Sequence, residues 1–103
     1  MYKLCFYVPE SHLDAVKAAC FNAGAGRIGN YDSCAWQVAG QGQFRPLTGS
    51  SPFLGAQDQL HFEPEYKVEM VCDDKYLRAA VDALRSAHPY EEPAYDVWRL
   101  ESI

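Results

Sequence analysis

The densest run of chemically capable side chains is His88-Pro89-Tyr90-Glu91-Glu92-Pro93, in which an imidazole, a phenol and two carboxylates lie between prolines. Proline fixes φ, so side chains held between two prolines lose less entropy when they engage a ligand or partner. His88, Glu91 and Glu92 are donors suited to a hard or borderline cation, which makes a divalent metal ion the candidate cofactor. The same groups would serve a small metal-dependent hydrolase, with Glu91 or Glu92 as base and His88 as ligand or acid. The simpler alternative is a shaped connection with solvated carboxylates. His12, His61, Asp32 and Cys34 could add donors only through the fold, since no pair shows H-x-x-x-H or C-x-x-C spacing.

A second run, Gly24-Ala25-Gly26-Arg27-Ile28-Gly29, satisfies G-x-G-x-x-G, the pattern that brings backbone amides to a pyrophosphate at a helix start. Its context is the reverse of that required, because it follows a helical pattern and leads towards a strand. A helix C-cap and tight turn is therefore the reading, with Arg27 leaving an anion-binding alternative. Ser50 and Ser51 lie in a Gly-Ser-Ser-Pro stretch without the strand-turn-helix elbow of an activated serine, and Cys34 has no histidine nearby in sequence to orient it.

The elements that must position these residues follow from periodicity. Residues 2–8 alternate Tyr2, Leu4, Phe6 and Val8 with Lys3, Cys5 and Tyr7, which predicts a strand stopped by Pro9. Ser11 is the predicted cap of a helix carrying Leu13, Val16, Cys20 and Ala23 on one face and ending at Gly24. Residues 35–39 form the second strand, with Gln41-Gly42 turning the chain into a short extra strand around Phe44. Residues 46–64 hold three prolines and predict a long projecting loop. Residues 65–72 alternate as a third strand, Asp73 or Asp74 caps a helix with Leu77, Ala80, Val81 and Leu84 inward, and His88-Pro89 stops it. Residues 94–100 complete the set.

The order is β-α-β followed by β-α-β, which predicts an α+β fold. This is a ferredoxin-like βαββαβ sandwich with both helices on one face, plus an extra hairpin and long loop between strands 2 and 3. Residues 1–103 are expected to form a single domain. Two helices leave one sheet face uncovered, occupied by Tyr7, Val71, Trp98 and Leu100 or else by Tyr95 and Val97. Burial of that face in a homo-oligomer is the preferred expectation, with cover by the long loop as the alternative.

Composition bounds the function. The 49% apolar and 22% charged content is that of a folded globular chain. The net charge of −5 is concentrated in the second half, and no basic stripe emerges, which argues against nucleic acid as a partner. No apolar run is long enough to span a membrane, and the apolar segment before Pro9 is shorter than a signal-peptide core, so the expected location is the cytoplasm. Cys5, Cys20, Cys34 and Cys72 are read as reduced thiols, three of them buried in apolar segments.

Four ordered motifs then accumulate: Gly24-Ala-Gly-Arg-Ile-Gly-Asn-Tyr-Asp-Ser-Cys34, Gly42-Gln-Phe44-Arg-Pro46, Pro52-Phe-Leu-Gly55, and His88-Pro-Tyr-Glu-Glu-Pro-Ala-Tyr-Asp96. Together they resemble the insert domain of the Nif-three-like/YqfO family along essentially the whole chain. His88-Pro89-Tyr90-Glu91-x-Pro93 also resembles the CutA divalent-cation-tolerance proteins, which implies the trimer-forming, P-II-like variety of the fold. In that variety the loop between strands 2 and 3, here residues 41–64, meets effectors and partners, and small ligands sit between subunits. The resemblance covers the insert domain and not the lobes that hold the family's dinuclear metal site, so neither that site nor a GTP-cyclohydrolase activity is expected of these residues.

The resulting expectation is a non-catalytic, homo-oligomeric binding or regulatory module, trimeric rather than dimeric, that senses a divalent cation or small ligand. A metal-dependent hydrolase and a pure assembly protein are the alternatives. Arg27, Asn30, Tyr31, Arg45 and Tyr90 are the expected ligand-binding residues, and His88, Glu91 and Glu92 the expected metal ligands. The three motif segments around residues 24–34, 44–46 and 88–93 are expected to meet in one cleft.

Overall fold

The computed structural model describes all 103 residues. Four strands, β1 (Tyr2–Pro9), β2 (Trp36–Phe44), β3 (His61–Cys72) and β4 (Tyr95–Arg99), alternate with two helices, α1 (Leu13–Asn22) and α2 (Leu77–Ala87). The strands form one antiparallel sheet in the order β2-β3-β1-β4, the arrangement of a ferredoxin-like fold. No helix is long and apolar enough to cross a membrane.

The register assigns the two faces. Leu4 opposes Met70 and Val97, and Phe6 opposes Val68 and Tyr95, so these side chains share one face. They meet Val16 and Cys20 of α1 and Ala80 and Leu84 of α2 in the hydrophobic core. Each large core side chain there contributes about 2 kcal/mol relative to exposure. The other face carries Lys3, Cys5 and Tyr7 of β1, Lys67, Glu69 and Val71 of β3, Trp36 and Val38 of β2, and Trp98 of β4. Of the two sets of residues expected on the uncovered face, Tyr7, Val71 and Trp98 are the ones found there. Tyr95 and Val97 pack on the core, and Leu100 lies beyond β4.

Helix ends are made by different devices. α1 stops in a Schellman arrangement: Gly24, with φ of 112°, donates to the Phe21 carbonyl, and Ala25 donates to that of Cys20. A Cβ at Gly24 would stand 2.5 Å from the Tyr76 ring, so only glycine fits. This is the C-cap expected of the G-x-G-x-x-G run. Asp73 caps the turn leading into α2 by accepting from the Lys75 N–H. Ser11 does not cap α1; it sits inside a 3-10 turn over Glu10–His12 and its hydroxyl meets His12 Nδ1 at 2.8 Å.

Two expectations around the second strand are corrected. Gln41-Gly42 does not turn the chain: β2 runs unbroken to Phe44, so there is no extra hairpin, and its partner is β3 itself. The loop is correspondingly shorter, covering residues 45–60, because β3 begins at His61 rather than at residue 65. Pro64 is tolerated inside β3 because pairing with β1 stops at Glu65, which leaves that edge without a ladder partner. Beyond Glu65, β2 and β3 continue as a two-stranded arm.

Candidate functional site

Past residue 40 the arm's surface on the helix-free side changes character. Gly40 and Gly42 alternate on that face with Val38 and Phe44, so two successive outward positions lack side chains. The result is a trough, walled by Phe44, Pro46, Leu47 and Phe53 at the arm end and by Tyr7 and Lys67 at the sheet end. Tyr90, Glu91 and Glu92 flank it from the junction after α2, and together these groups enclose a cleft of about 660 Å³. Gly42 is itself occupied: a Cβ there would collide with the Glu65 carboxylate, which lies across it. At Gly40 nothing comes within 4 Å of a Cβ position, so the floor there is open.

The junction is held by His88. The residue before Pro89 is forced out of helical geometry, and His88 takes ψ of 136° and ends α2. Pairing between β1 and β4 begins only at Phe6 and Tyr95, so the next residue, Tyr7, has a ladder partner on β3 but none on β4. Its N–H donates to the Ala94 carbonyl at 3.2 Å, and its carbonyl accepts from His88 Nε2 at 2.7 Å. His88 Nδ1 accepts from the Tyr90 N–H at 3.1 Å. These partners assign the neutral Nε2–H tautomer. Burial pushes the imidazole pKa below its ordinary value, against smaller opposing effects of the Tyr7 carbonyl and Glu65.

Tyr90 is the hub of the cleft wall. Its hydroxyl donates to Glu65 Oε2 at 2.7 Å, and burial together with Glu65 and Glu63 raises the phenol pKa well above its usual range. Its ring meets Phe44, Phe53 and His88 with centroids 5.8, 6.4 and 4.9 Å away. Phe53 in turn stands edge-on to His12 at 5.5 Å, which docks the 45–60 loop against the body. The Ser51 N–H donates to both Glu91 carboxylate oxygens at 3.2 Å and fastens the loop to the junction.

The expected metal set does not assemble. Both His88 nitrogens are committed, Glu91 holds Ser51, Glu92 is exposed, and no group of three or more His, Cys, Asp or Glu side chains is placed to hold a metal ion. The expected ligand residues divide. Arg45 and Tyr90 line the cleft, whereas Arg27, Asn30 and Tyr31 form a small separate concavity with Gly29 and Asp32. That concavity sits at the far end of β3: Gly26 donates to the Val71 carbonyl at 2.8 Å, and the Arg27 guanidinium lies 5.7 Å from the Tyr76 ring centre. One shared cleft for all three motif segments is therefore corrected to two sites. Among the cleft residues absent from the expected site are Gly40, Lys67, Tyr7, Phe53 and Glu65. The alternation of glycine at positions 40 and 42 within an extended pattern was the available signal.

Comparison with known proteins shows which longer chains this one resembles. No family model matches the chain. Proteins named GTP cyclohydrolase 1 type 2 homolog from Halalkalibacterium halodurans and Mycobacterium leprae are 44% and 46% identical over 97% and 95% of it. The chain spans about a quarter of the length of these relatives, 27% and 26%. A Bacillus cereus protein related to NIF3 superimposes with a TM-score of 0.84 at 37% identity, over 98% of this chain and 26% of that one. CutA from Xylella fastidiosa shares the fold alone, with a TM-score of 0.70 at 14% identity over 98% of this chain and 84% of that one. The chain is thus homologous to one segment of the NIF3-related proteins and has the P-II/CutA-like fold.

Proposed function

We propose that the chain is a non-catalytic binding module that associates with itself and takes a small organic ligand in the Gly40–Gly42 cleft. The observation that carries this reading is the committed state of the junction. His88 completes the backbone pairing of β1, Tyr90 and Glu65 bond to each other, and Glu91 holds the loop. Of the groups on which a hydrolase or a metal site would draw, His88, Tyr90, Glu65 and Glu91 are thus used to build a wall, Glu92 stays exposed, and what they build is an open cleft. Exposed Trp36, Val38 and Trp98 on the helix-free face support self-association, with a trimer as the expected state. Four free cysteines suit a reducing compartment and hence the cytoplasm.

Native mass spectrometry of the chain purified from cells tests both halves of the reading. A trimer retaining a small molecule is the expected result. A monomer at high concentration overturns self-association, and a retained molecule that survives Gly40→Phe overturns the cleft as its site.

A further inference from the structure

The sheet has two edges, β2 and β4, and each turns a row of backbone N–H and C=O groups away from its one neighbour. Edge strands are ordinarily kept from pairing with other chains by short length, charge, proline or a bulge. β4 follows this rule, with five residues that include Asp96 and Arg99. β2 has none of these protections. It runs for nine residues, Trp36–Phe44, without a charged residue or a proline, and it is exposed from Trp36 through Gln41. Its ladder with β3 is continuous from Trp36 opposite Glu69 to Phe44 opposite His61, so no bulge turns the edge away.

The order of side chains along β2 indicates what fits it. Trp-Gln-Val-Ala-Gly-Gln-Gly-Gln-Phe reads nearly the same in both directions by chemical class. A second β2 laid antiparallel, Gly40 against Gly40, sets Trp36 opposite Phe44, Gln37 opposite Gln43, Val38 opposite Gly42 and Ala39 opposite Gln41. The outer pairs are aromatic with aromatic and amide with amide, which favour neighbouring strands, and no like charges meet. Lys17 Nζ donates to Gln37 Oε1 at 2.7 Å, which leaves the Gln37 amide N–H groups for Gln43 of the second copy.

We propose that β2 is a two-fold interface at which a second copy of this chain adds its own β2, joining two four-stranded sheets into one. This deepens the self-association reading but rests on the edge alone, apart from the helix-free face. Each copy offers nine residues, fewer than the roughly 20–30 a side of a standard interface, so the pairing depends on concentration. The species assembled through the helix-free face therefore doubles in mass as concentration rises.

Sedimentation equilibrium of the full chain from ~10 μM to ~1 mM, the range of a weak pairing, measures the mass. Two variants alter the same two exposed positions. Ala39→Lys with Gln41→Lys sets lysine against lysine twice across the two-fold axis, whereas Ala39→Lys with Gln41→Glu sets lysine against glutamate twice. The parent is expected to double in mass over this range. The lysine–lysine variant should weaken the doubling by at least ~10-fold, and the lysine–glutamate variant should retain it. In Trp98→Glu, which removes the face contact, the same doubling should take monomer to dimer. A parent mass that never doubles overturns the edge contact and leaves β2 to a strand from a different protein. Doubling that both paired variants lose overturns the register, and doubling that neither loses overturns the edge. A parent that passes from monomer to dimer, with the dimer lost only in the lysine–lysine variant, removes the helix-free face and keeps the edge. Doubling lost in Trp98→Glu but kept in the lysine–lysine variant does the reverse.

Discussion

The carboxylate of Glu65 lies across Gly42 of the neighbouring strand, in space that any other residue would fill with its Cβ. From that position it accepts the Tyr90 hydroxyl at 2.7 Å and ties the junction after α2 to the β2–β3 arm. Glycine in a strand normally weakens it by leaving nothing to pack. Here the missing side chain is what allows an acid on β3 to reach a phenol from a distant part of the chain.

Gly42→Ala should therefore act through Tyr90. The added methyl displaces Glu65 and strands the phenol, with an expected loss of about 1–3 kcal/mol. Tyr90→Phe alone should cost about 2 kcal/mol, as for a hydrogen bond to a charged acceptor. Because both changes break one contact, the double variant should lose less than the sum. Urea denaturation of the four proteins in the cycle measures this, and strict additivity would sever the proposed link.

Stability should fall in mild acid through His88. Its folded pKa is depressed by burial, so the neutral form is the one that fits the fold. Above the unfolded value of about 6.5 both states are neutral and the contribution is complete. As pH drops below that value the unfolded chain takes up a proton that the folded chain resists, and stability declines until the folded pKa is passed. His88→Gln should be less stable at pH 7.5 yet show a shallower decline in Tm between pH 7 and 5 than the parent. Parallel slopes would assign the acid sensitivity to other groups.

Thiol reactivity should single out Cys34. Burial raises the thiol pKa of Cys5 and Cys72 and pushes that of Cys20 up to about 12, which suppresses the reactive thiolate. All three are buried, whereas Cys34 is half-exposed. Brief treatment with iodoacetamide followed by peptide mass spectrometry should find one modified cysteine in the native protein and four in urea. Early labelling of Cys20 would contradict the core packing.

Gly24→Ala should be among the more damaging single substitutions. It combines a φ of 112° with a collision against the Tyr76 ring, and both effects act at the cap of α1. A loss of about 2 kcal/mol or more is expected from strain and overpacking together. Thermal unfolding gives the measurement, and a change below about 0.5 kcal/mol would refute the glycine requirement.

The helix-free face should control self-association. Trp98→Glu introduces a charge at an exposed position that is 44% accessible and outside the core. The monomer fold should be unaffected by circular dichroism, while light scattering shows a shift from trimer to monomer. A trimer that persists in Trp98→Glu would move the interface elsewhere.

Much of the fold was legible because it rests on local periods. The alternation Leu4-Phe6-Val8 and the helical spacing Leu77-Ala80-Val81-Leu84 each bury one face whatever surrounds them, and Gly24 and His88-Pro89 act at helix ends through backbone restrictions alone. The β2–β3 arm was misread for the opposite reason. Gln41-Gly42 has the composition of a turn, and it stays extended because β3 offers Glu63 and Pro64 as ladder partners, a long-range condition that no local window contains. At the site, Tyr90 and Arg45 were identifiable as polar groups in rigid segments. Lys67 was not, because its strand pattern explains it as an ordinary outward residue.

The sequence by itself determined the β-α-β, β-α-β frame, the core face of β1 and of both helices, and the relationship to the NIF3-related proteins, since these depend on residue type and spacing; it left the face of β4 open. Only the tertiary structure decided what the motif residues do. Whether His88 is a metal ligand or a backbone partner depends on where β4 starts pairing with β1, and that register leaves the Tyr7 carbonyl open for the imidazole. Whether Arg27 shares a cleft with Arg45 depends on which end of β3 each loop reaches, and they reach opposite ends. Hydrogen-bond commitment and distance are properties of the packed chain, so the same residues that advertise chemistry in the sequence can become, once folded, the wall around a cleft.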